Sequence, residues 1–339
     1  MDRDWLDGML GAVPLPLILI GEDDRILAAN TAADDIIGAA QVGRHHAIAL
    51  RQPALLSAIE TALRDRVGGQ ARHVILGPSH EVTYLVTVTP MHGNGGVLCA
   101  FQDITERELV TRFRRDFVAN VTHELRTPLT TLIGFIETLK GAARDDPAAR
   151  DRFLTIMEQE AGRMNRLVDN LLSLSRVEAQ ERQRPAASVD VSALINAVTA
   201  TLAPVAQEAD VVIEVTGGDT TLPVPGDADQ LTQVFQNLIE NAIKYGASGG
   251  KVTVVIHPPG DDARIRIDVI DRGEGIGARH LPRLTERFYR VDDHRSREKG
   301  GTGLGLAIVK HILNRHRGRL EMTSERGKGS CFSVFLPRA

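Results

Sequence analysis

Phe117-Val-Ala-Asn-Val-Thr-His123-Glu124-Leu-Arg-Thr127-Pro128 opens the stretch from which the architecture is read. Apolar residues recur at Val118, Val121, Leu125, Leu132, Ile136 and Leu139. This is a heptad seam with one position, between Leu125 and Leu132, filled by Pro128. A second set, Leu154, Met157, Ala161, Met164, Val168 and Leu171, alternates steps of three and four without a break. Gly141-Ala-Ala-Arg-Asp-Asp-Pro147 between the sets reads as a loop. Two antiparallel helices with such stripes form a hairpin. One hairpin cannot cover both stripes, whereas two copies make a four-helix bundle, so a homodimer is expected.

His123 lies two residues from Val121 and two from Leu125. That sets it about 200° around the helix from each, opposite the seam. An imidazole there is open to reaction. Glu124 can accept a proton from one ring nitrogen and leave the other a lone pair for attack. Thr127 follows one turn later on the same flank. Pro128 frees the Glu124 carbonyl from its helical bond and bends the helix.

Working outward, the chain has 339 residues, 42% hydrophobic and 25% charged, a composition of two to three globular domains. Forty basic against 44 acidic residues exclude a nucleic-acid-coating protein, so no direct nucleic-acid partner is expected. Cys99 and Cys331 are too few for a disulfide framework or a four-ligand zinc site, which points to a reducing compartment. The uncharged run Gly8–Gly21 holds Pro14 and Pro16 and falls short of the roughly 20 apolar residues a membrane span needs. Asp2, Asp4 and Asp7 spoil a signal peptide. The expected location is cytoplasmic.

The first hundred residues alternate short apolar runs with turns. Strands are predicted at Pro16–Gly21, Arg25–Ala28, Tyr84–Pro90 and Gly96–Phe101, with a helix at Ala54–Arg66. His45, His46, His73, His80 and His92 show no ligand spacing and read as surface or loop histidines. Beyond residue 187, Asp229–Tyr245 and Leu304–Arg315 read as helices. Lys251–Ile256 and Arg264–Asp271 read as strands, and Cys331–Leu336 as the strand closing the sheet.

Asn237 and Asn241 are four apart on a helix, so both amides face one way. A neutral amide oxygen suits Mg²⁺ where phosphates already bring negative charge. Asp271-Arg-Gly273-Glu-Gly275 follows a strand directly, placing a carboxylate at a strand end that can accept from an adenine amino group. Gly300-Gly301-Thr302-Gly303-Leu304-Gly305 precedes a helix, and such a turn binds phosphate through backbone amides. Neither a Walker A nor a dinucleotide spacing is present.

His-Glu-Leu-Arg-Thr-Pro-Leu resembles the phosphoacceptor box of sensor histidine kinases. The longer run Phe117–Leu139 resembles the phosphate-regulon (PhoR-like) type, and the likeness continues to the C-terminus. Gly21–Asn30 and Phe101–Thr105 resemble a PAS domain. The resemblance implies an α+β multidomain chain. A PAS α/β domain would occupy 1–105, and a dimeric antiparallel helical hairpin, forming a four-helix bundle, 106–180. A GHKL/Bergerat-type α/β sandwich that binds ATP would occupy 187–339. It implies His123 as phosphoacceptor, Glu124 as its proton acceptor and Thr127 as the phosphatase residue. It makes Asn241 the Mg²⁺ ligand with Asn237 beside it, and sets Lys244 and Tyr245 near phosphates and sugar. Asp271 would take adenine. Gly273 and Gly275 form the first glycine box and Gly301, Thr302, Gly303, Leu304 and Gly305 the second. Glu286-Arg-Phe-Tyr-Arg290 matches the aromatic box, with Arg290 reaching the γ-phosphate, and Asp292–Lys299 would form a lid.

The implied activity is ATP-dependent autophosphorylation of His123 and transfer to an Asp of a cognate, PhoB-like response regulator, with dephosphorylation of that regulator. Related ATPases carry Glu where this chain has Asn237, and an amide is no general base, which disfavours hydrolysis. The alternatives are a nucleotide-binding adaptor without phosphotransfer and an ATP-driven conformational machine. Kinases of this kind usually carry a membrane anchor, so association with the inner face of the plasma membrane through a segment outside this chain is the variant location.

Overall fold

A computed structural model describes residues 3–38, 41–77, 81–91, 96–180, 183–218, 220–257, 264–291 and 301–338. The expected lid Asp292–Lys299, together with Gly300, His80 and His92, lies outside them. The chain divides into two units, Met1–Ala119 and Asn120–Ala339. Among the described residues no helix is long and apolar enough to cross a membrane.

The first unit runs α1 (Arg3–Gly11), β1 (Leu17–Ile20), β2 (Ile26–Ala29), α2 (Asp34–Ile37), α3 (His46–Ala49), α4 (Pro53–Asp65), β3 (Gly69–Leu76), β4 (Glu81–Pro90) and β5 (Val97–Asp103). Its antiparallel sheet has the order β2-β1-β5-β4-β3. β1 is apolar at every position because both its faces are covered. Ile18 and Ile20 join a core with Leu55 and Ile59 of α4, while Leu17 and Leu19 pack in a second cluster with Leu10 of α1. Asn30 fixes that second layer: its amide nitrogen reaches the carbonyls of Leu10, Val13 and Leu15, and its oxygen accepts from the Leu17 amide.

Two expectations change here. β3 escaped the sequence reading because its inward positions are Ala71 and His73, which make no apolar alternation. His46 and His73 are not surface residues but 2% and 4% exposed. His73 faces Phe101 edge-on. Asp24 approaches His45 and His46, yet Nδ1 of His46 bonds the Asp24 carbonyl and Nδ1 of His45 accepts from the Ala47 amide, so both nitrogens serve the local backbone.

α5 (Thr105–Lys140) runs unbroken through Pro128 and is followed by α6 (Pro147–Gln180). Within the second unit, Phe135 of α5 stacks on Phe153 of α6, and Glu124 pairs with Arg163. Moving back along α5 thus moves forward along α6, the register of an antiparallel hairpin. Along the periodic stripes Ile136, Leu154 and Val168 stay 40–49% exposed. The residues of α6 that are buried, Leu167, Leu174 and Val177, lie off that stripe, on a helix that packs against α9 (Gly305–Arg315).

The rest of the unit contains β6 (Ser188–Asp190), α7 (Val191–Glu208), β7 (Val212–Thr216), β8 (Pro223–Pro225), α8 (Ala228–Gly246), β9 (Lys251–Ile256), β10 (Arg264–Asp271), β11 (Arg319–Glu325) and β12 (Gly329–Pro337). The main sheet has the order β11-β12-β10-β9-β7, with β7 parallel to β9 and the remaining pairs antiparallel. β12, expected to close the sheet, lies inside it. β11 is the edge, half-exposed along its length and therefore lacking an apolar run. Asp190 and Asp227 cap α7 and α8 through their carboxylates. The buried face of α8, from Leu231 to Ile243, lies against β9 and β10, which leaves its other face to build a cleft.

Candidate functional site

That cleft has a volume of about 1100 Å³. Asn237, Asn241, Lys244 and Tyr245 of α8 line one wall. Asp271 and Gly275 close the end of β10, and Arg290, Gly301, Thr302, Gly303 and Gly305 form the opposite rim. The two remaining glycine-box residues serve from behind. Gly273 donates its amide to Asp271 Oδ1 at 2.9 Å, and Leu304, fully buried, anchors the turn into α9.

Close backbone contacts explain the glycines. A Cβ on Gly246 would stand 2.6 Å from that of Asp271, and one on Gly273 would stand 2.2 Å from the Tyr245 carbonyl. Asp271 is 5% exposed, and burial pushes its carboxyl above the ordinary range while the Gly273 amide and Ser330 oppose that rise. Gly303, at φ +70°, packs on the backbone of Phe288, whose amide bonds the Gly303 carbonyl at 2.8 Å. The aromatic box and the second glycine box therefore brace each other. Next to them, Arg283 stacks over the Tyr289 ring, whose hydroxyl meets His280 Nδ1 at 2.6 Å.

A metal ion can be tested against the asparagines. A Cβ on Gly305 would lie 2.9 Å from Asn237 Oδ1, so that amide oxygen faces the glycine turn at a place kept free of side chain. Asn241, one turn along, opens on the same cleft. Hard, neutral oxygens beside a glycine-rich turn at a helix N-terminus fit Mg²⁺. Glu240 pairs with Lys244 at 3.7 Å and accepts from Gln236 at 3.0 Å.

His123 is exposed on α5, and among the described residues its ring makes no hydrogen bond. Glu124 has its side chain 13% exposed and held by Arg163 at 3.2 Å and Arg290 at 3.1 and 3.3 Å. Arg290 also bonds the Gly301 carbonyl. Thr127 donates its hydroxyl to the His123 carbonyl at 3.2 Å, as Thr130, Thr131 and Thr138 do to theirs one turn back.

The sequence reading missed a third wall. Arg166, Asp169 and Asn170 of α6 line the cleft, and Asn170 donates to Thr302 Oγ1 at 3.2 Å. Ser173 likewise donates to Gln233 at 2.7 Å. Nothing in the periodicity of α6 signals this, because the contact depends on how the hairpin packs on α9.

Comparison with known proteins gives three successive matches. Residues 10–109 match the PAS fold, 113–180 the His Kinase A (phospho-acceptor) domain, and 226–339 the histidine kinase-, DNA gyrase B-, and HSP90-like ATPase. The phosphate regulon sensor protein PhoR of Pseudomonas aeruginosa is 40% identical over 264 residues, covering 78% of this chain and 59% of the relative. Sensor histidine kinase WalK of Bacillus subtilis is 38% identical over 247 residues, covering 73% of this chain and 40% of the relative. The chain thus spans about 40–59% of the length of these curated relatives. The solved histidine kinase ThkA, in complex with response regulator protein TrrA, shares the fold at a TM-score of 0.53 and 20% identity, over 96% of both chains.

Proposed function

Since the chain belongs to the sensor histidine kinases, the group that includes the phosphate-regulon sensors, we propose that it autophosphorylates His123 from ATP and passes the phosphoryl group to an Asp of a response regulator. One observation carries this reading: an exposed imidazole and a nucleotide-sized cleft occur in the same unit, linked through Glu124 and Arg290. On this reading Asp271 takes the adenine amino group, and Lys244 and Tyr245 serve the sugar and phosphates. The amides of 301–305 and the N-terminus of α9 receive the phosphates. Asn241 would hold Mg²⁺, with Asn237 beside it, and the ion would screen phosphate charge. Arg290 reaches the γ-phosphate once Glu124 releases it.

The Nε2–phosphorus bond forms as the bond from the γ-phosphorus to the bridging oxygen breaks. ADP leaves with that electron pair, and the other ring N–H proton passes to Glu124. Positioning and charge stabilisation supply most of such a rate. The half-exposed stripe of Ile136, Leu154 and Val168 supports a homodimer, in which two hairpins cover each other. On this reading the partner is a PhoB-like regulator of a phosphate-regulation system, and the location is the cytoplasm at the inner face of the plasma membrane. Thr127 aids removal of phosphate from the regulator after turning its hydroxyl from the His123 carbonyl to a water.

The fate of the label from γ-labelled ATP tests the function. Acid-labile label on the chain supports the kinase. Free phosphate without labelled protein means an ATPase, and neither product means an adaptor.

A further inference from the structure

Arg279, His280 and Tyr289 form a hydrogen-bonded chain along one wall of the cleft, and all three line it. Arg279 Nε donates to His280 Nε2 at 3.0 Å. A guanidinium can only donate, so Nε2 must present its lone pair to Arg279. The proton of the imidazole then sits on Nδ1. Nδ1 lies 2.6 Å from the Tyr289 hydroxyl. His280 is therefore the donor of that bond, and the tyrosine oxygen is the acceptor. A phenol that accepts at its oxygen still has its own proton to give. Among the described residues no protein group receives it.

The tyrosine ring is fixed as well as its oxygen. The Arg283 guanidinium stacks over it, 4.2 Å from the ring centre, and is itself held by Glu286 at 3.2 Å. On either side in sequence, the Phe288 amide bonds the Gly303 carbonyl at 2.8 Å, and Arg290 bonds that of Gly301. The hydroxyl is thus tied to the turn that faces the phosphates in the kinase reading. Its proton needs an acceptor brought into the cleft, and a phosphate oxygen is a strong one, since bonds of the O–H···O⁻ kind exceed neutral ones. The opposite polarity, with Tyr289 donating to Nδ1, would spend that proton inside the protein. The bond from Arg279 to Nε2 excludes it.

Resting on the kinase reading above, we infer that the Tyr289 hydroxyl donates to the phosphate chain of the nucleotide, and that His280 is a positioning residue that keeps this proton available to the cleft. His280 acts through Tyr289, and Arg279 sets the direction of the chain by holding Nε2 as an acceptor.

The test compares the full chain with Tyr289→Phe, His280→Leu and the double variant. Each protein is titrated with ATP and with adenosine, which has no phosphate, and its melting temperature is recorded. Tyr289→Phe keeps the ring under Arg283 and removes only the hydroxyl. It should weaken ATP binding about tenfold, the typical worth of a hydrogen bond to a charged group. Adenosine affinity should stay within about twofold, because the nucleoside does not use the hydroxyl. His280→Leu should weaken ATP binding about threefold or more in the parent and add almost nothing in the Tyr289→Phe background, as expected of two residues acting through one contact. Parental ATP affinity in Tyr289→Phe would overturn the inference. So would equal losses for ATP and adenosine, which would mark a structural tyrosine. Additive losses from His280→Leu and Tyr289→Phe would overturn the positioning role. A parent chain that binds no ATP would remove the kinase reading itself, a failure recognised without any variant.

Discussion

Glu124 on the helix of the exposed histidine and Arg290 on the rim of the cleft share two hydrogen bonds, 3.1 and 3.3 Å long, with both side chains largely buried. The carboxylate beside the proposed phosphoacceptor therefore occupies the arginine proposed for the γ-phosphate. A nucleotide with a γ-phosphate competes with Glu124 for that arginine, and one without it does not. Coupling of this kind is commonly several-fold. Glu124→Gln should tighten ATP binding by about threefold to tenfold while leaving ADP unchanged. The same variant should autophosphorylate more slowly. Calorimetric titration with both nucleotides checks the first effect, and equal changes for ATP and ADP would refute the competition.

Asp271 sets function against stability. Burial raises its carboxyl, so the fold disfavours the ionised form more than the unfolded chain does. Its contribution to stability is present below the ordinary value of 3.8 and is lost as pH rises through the folded value. At neutral pH the ionised residue is a cost that a neutral amide would not carry. Asp271→Asn can still accept the Gly273 amide, so the nucleotide-free protein should melt at the same temperature or higher. ATP affinity should nevertheless fall about tenfold, because a mispaired buried contact costs roughly 1–3 kcal/mol. Thermal melts and titration calorimetry on one preparation decide both halves.

How much could be read in advance depended on where the signal lay. The seams of α5 and α6, the glycine turns and the Asn237–Asn241 pair are local patterns, and each falls on the element expected of it. β3 was not legible because Ala71 and His73 take its inward positions, and β11 because an edge strand needs no apolar face. The pairing of Glu124 with Arg163 and Arg290 joins residues far apart in sequence, 39 and 166 positions away. Chain-local reasoning set Glu124 beside the His123 ring but could not see the two arginines that also hold it. The wall contributed by Arg166 and Asn170 was hidden for the same reason.

Gly275 gives a check on the first glycine box. Its φ is +67°, and a Cβ would stand 2.0 Å from the Glu325 carbonyl. Gly275→Ala faces a left-handed backbone penalty of about 1–3 kcal/mol before the clash is counted. The variant should melt lower and bind ATP more weakly. Unchanged behaviour in both assays would mean that this turn relaxes freely.

His73 should make the first unit sensitive to acid. Burial lowers its imidazole below the usual 6.5, and Nδ1 is buried without a partner among the described residues. The unfolded chain takes up the proton first, so stability present above pH 6.5 is lost as pH falls through the folded value. His316, buried in the second unit, acts in the same direction. Melting temperatures should drop as pH falls below about 6.5. His73→Leu should flatten part of that slope without loss at neutral pH, because it removes an unsatisfied polar atom. A slope unaltered by His73→Leu would assign the acid sensitivity elsewhere.

The central claim is that the ring of His123 receives the γ-phosphoryl group. The direct measurement is label transfer from γ-labelled ATP to the parent chain and to His123→Gln, with ATP affinity measured on both. His123 stands exposed on α5 outside the nucleotide cleft, so the substitution should leave ATP binding within about twofold. The account predicts acid-labile label on the parent and none on His123→Gln. Acid-labile label persisting on His123→Gln would contradict it.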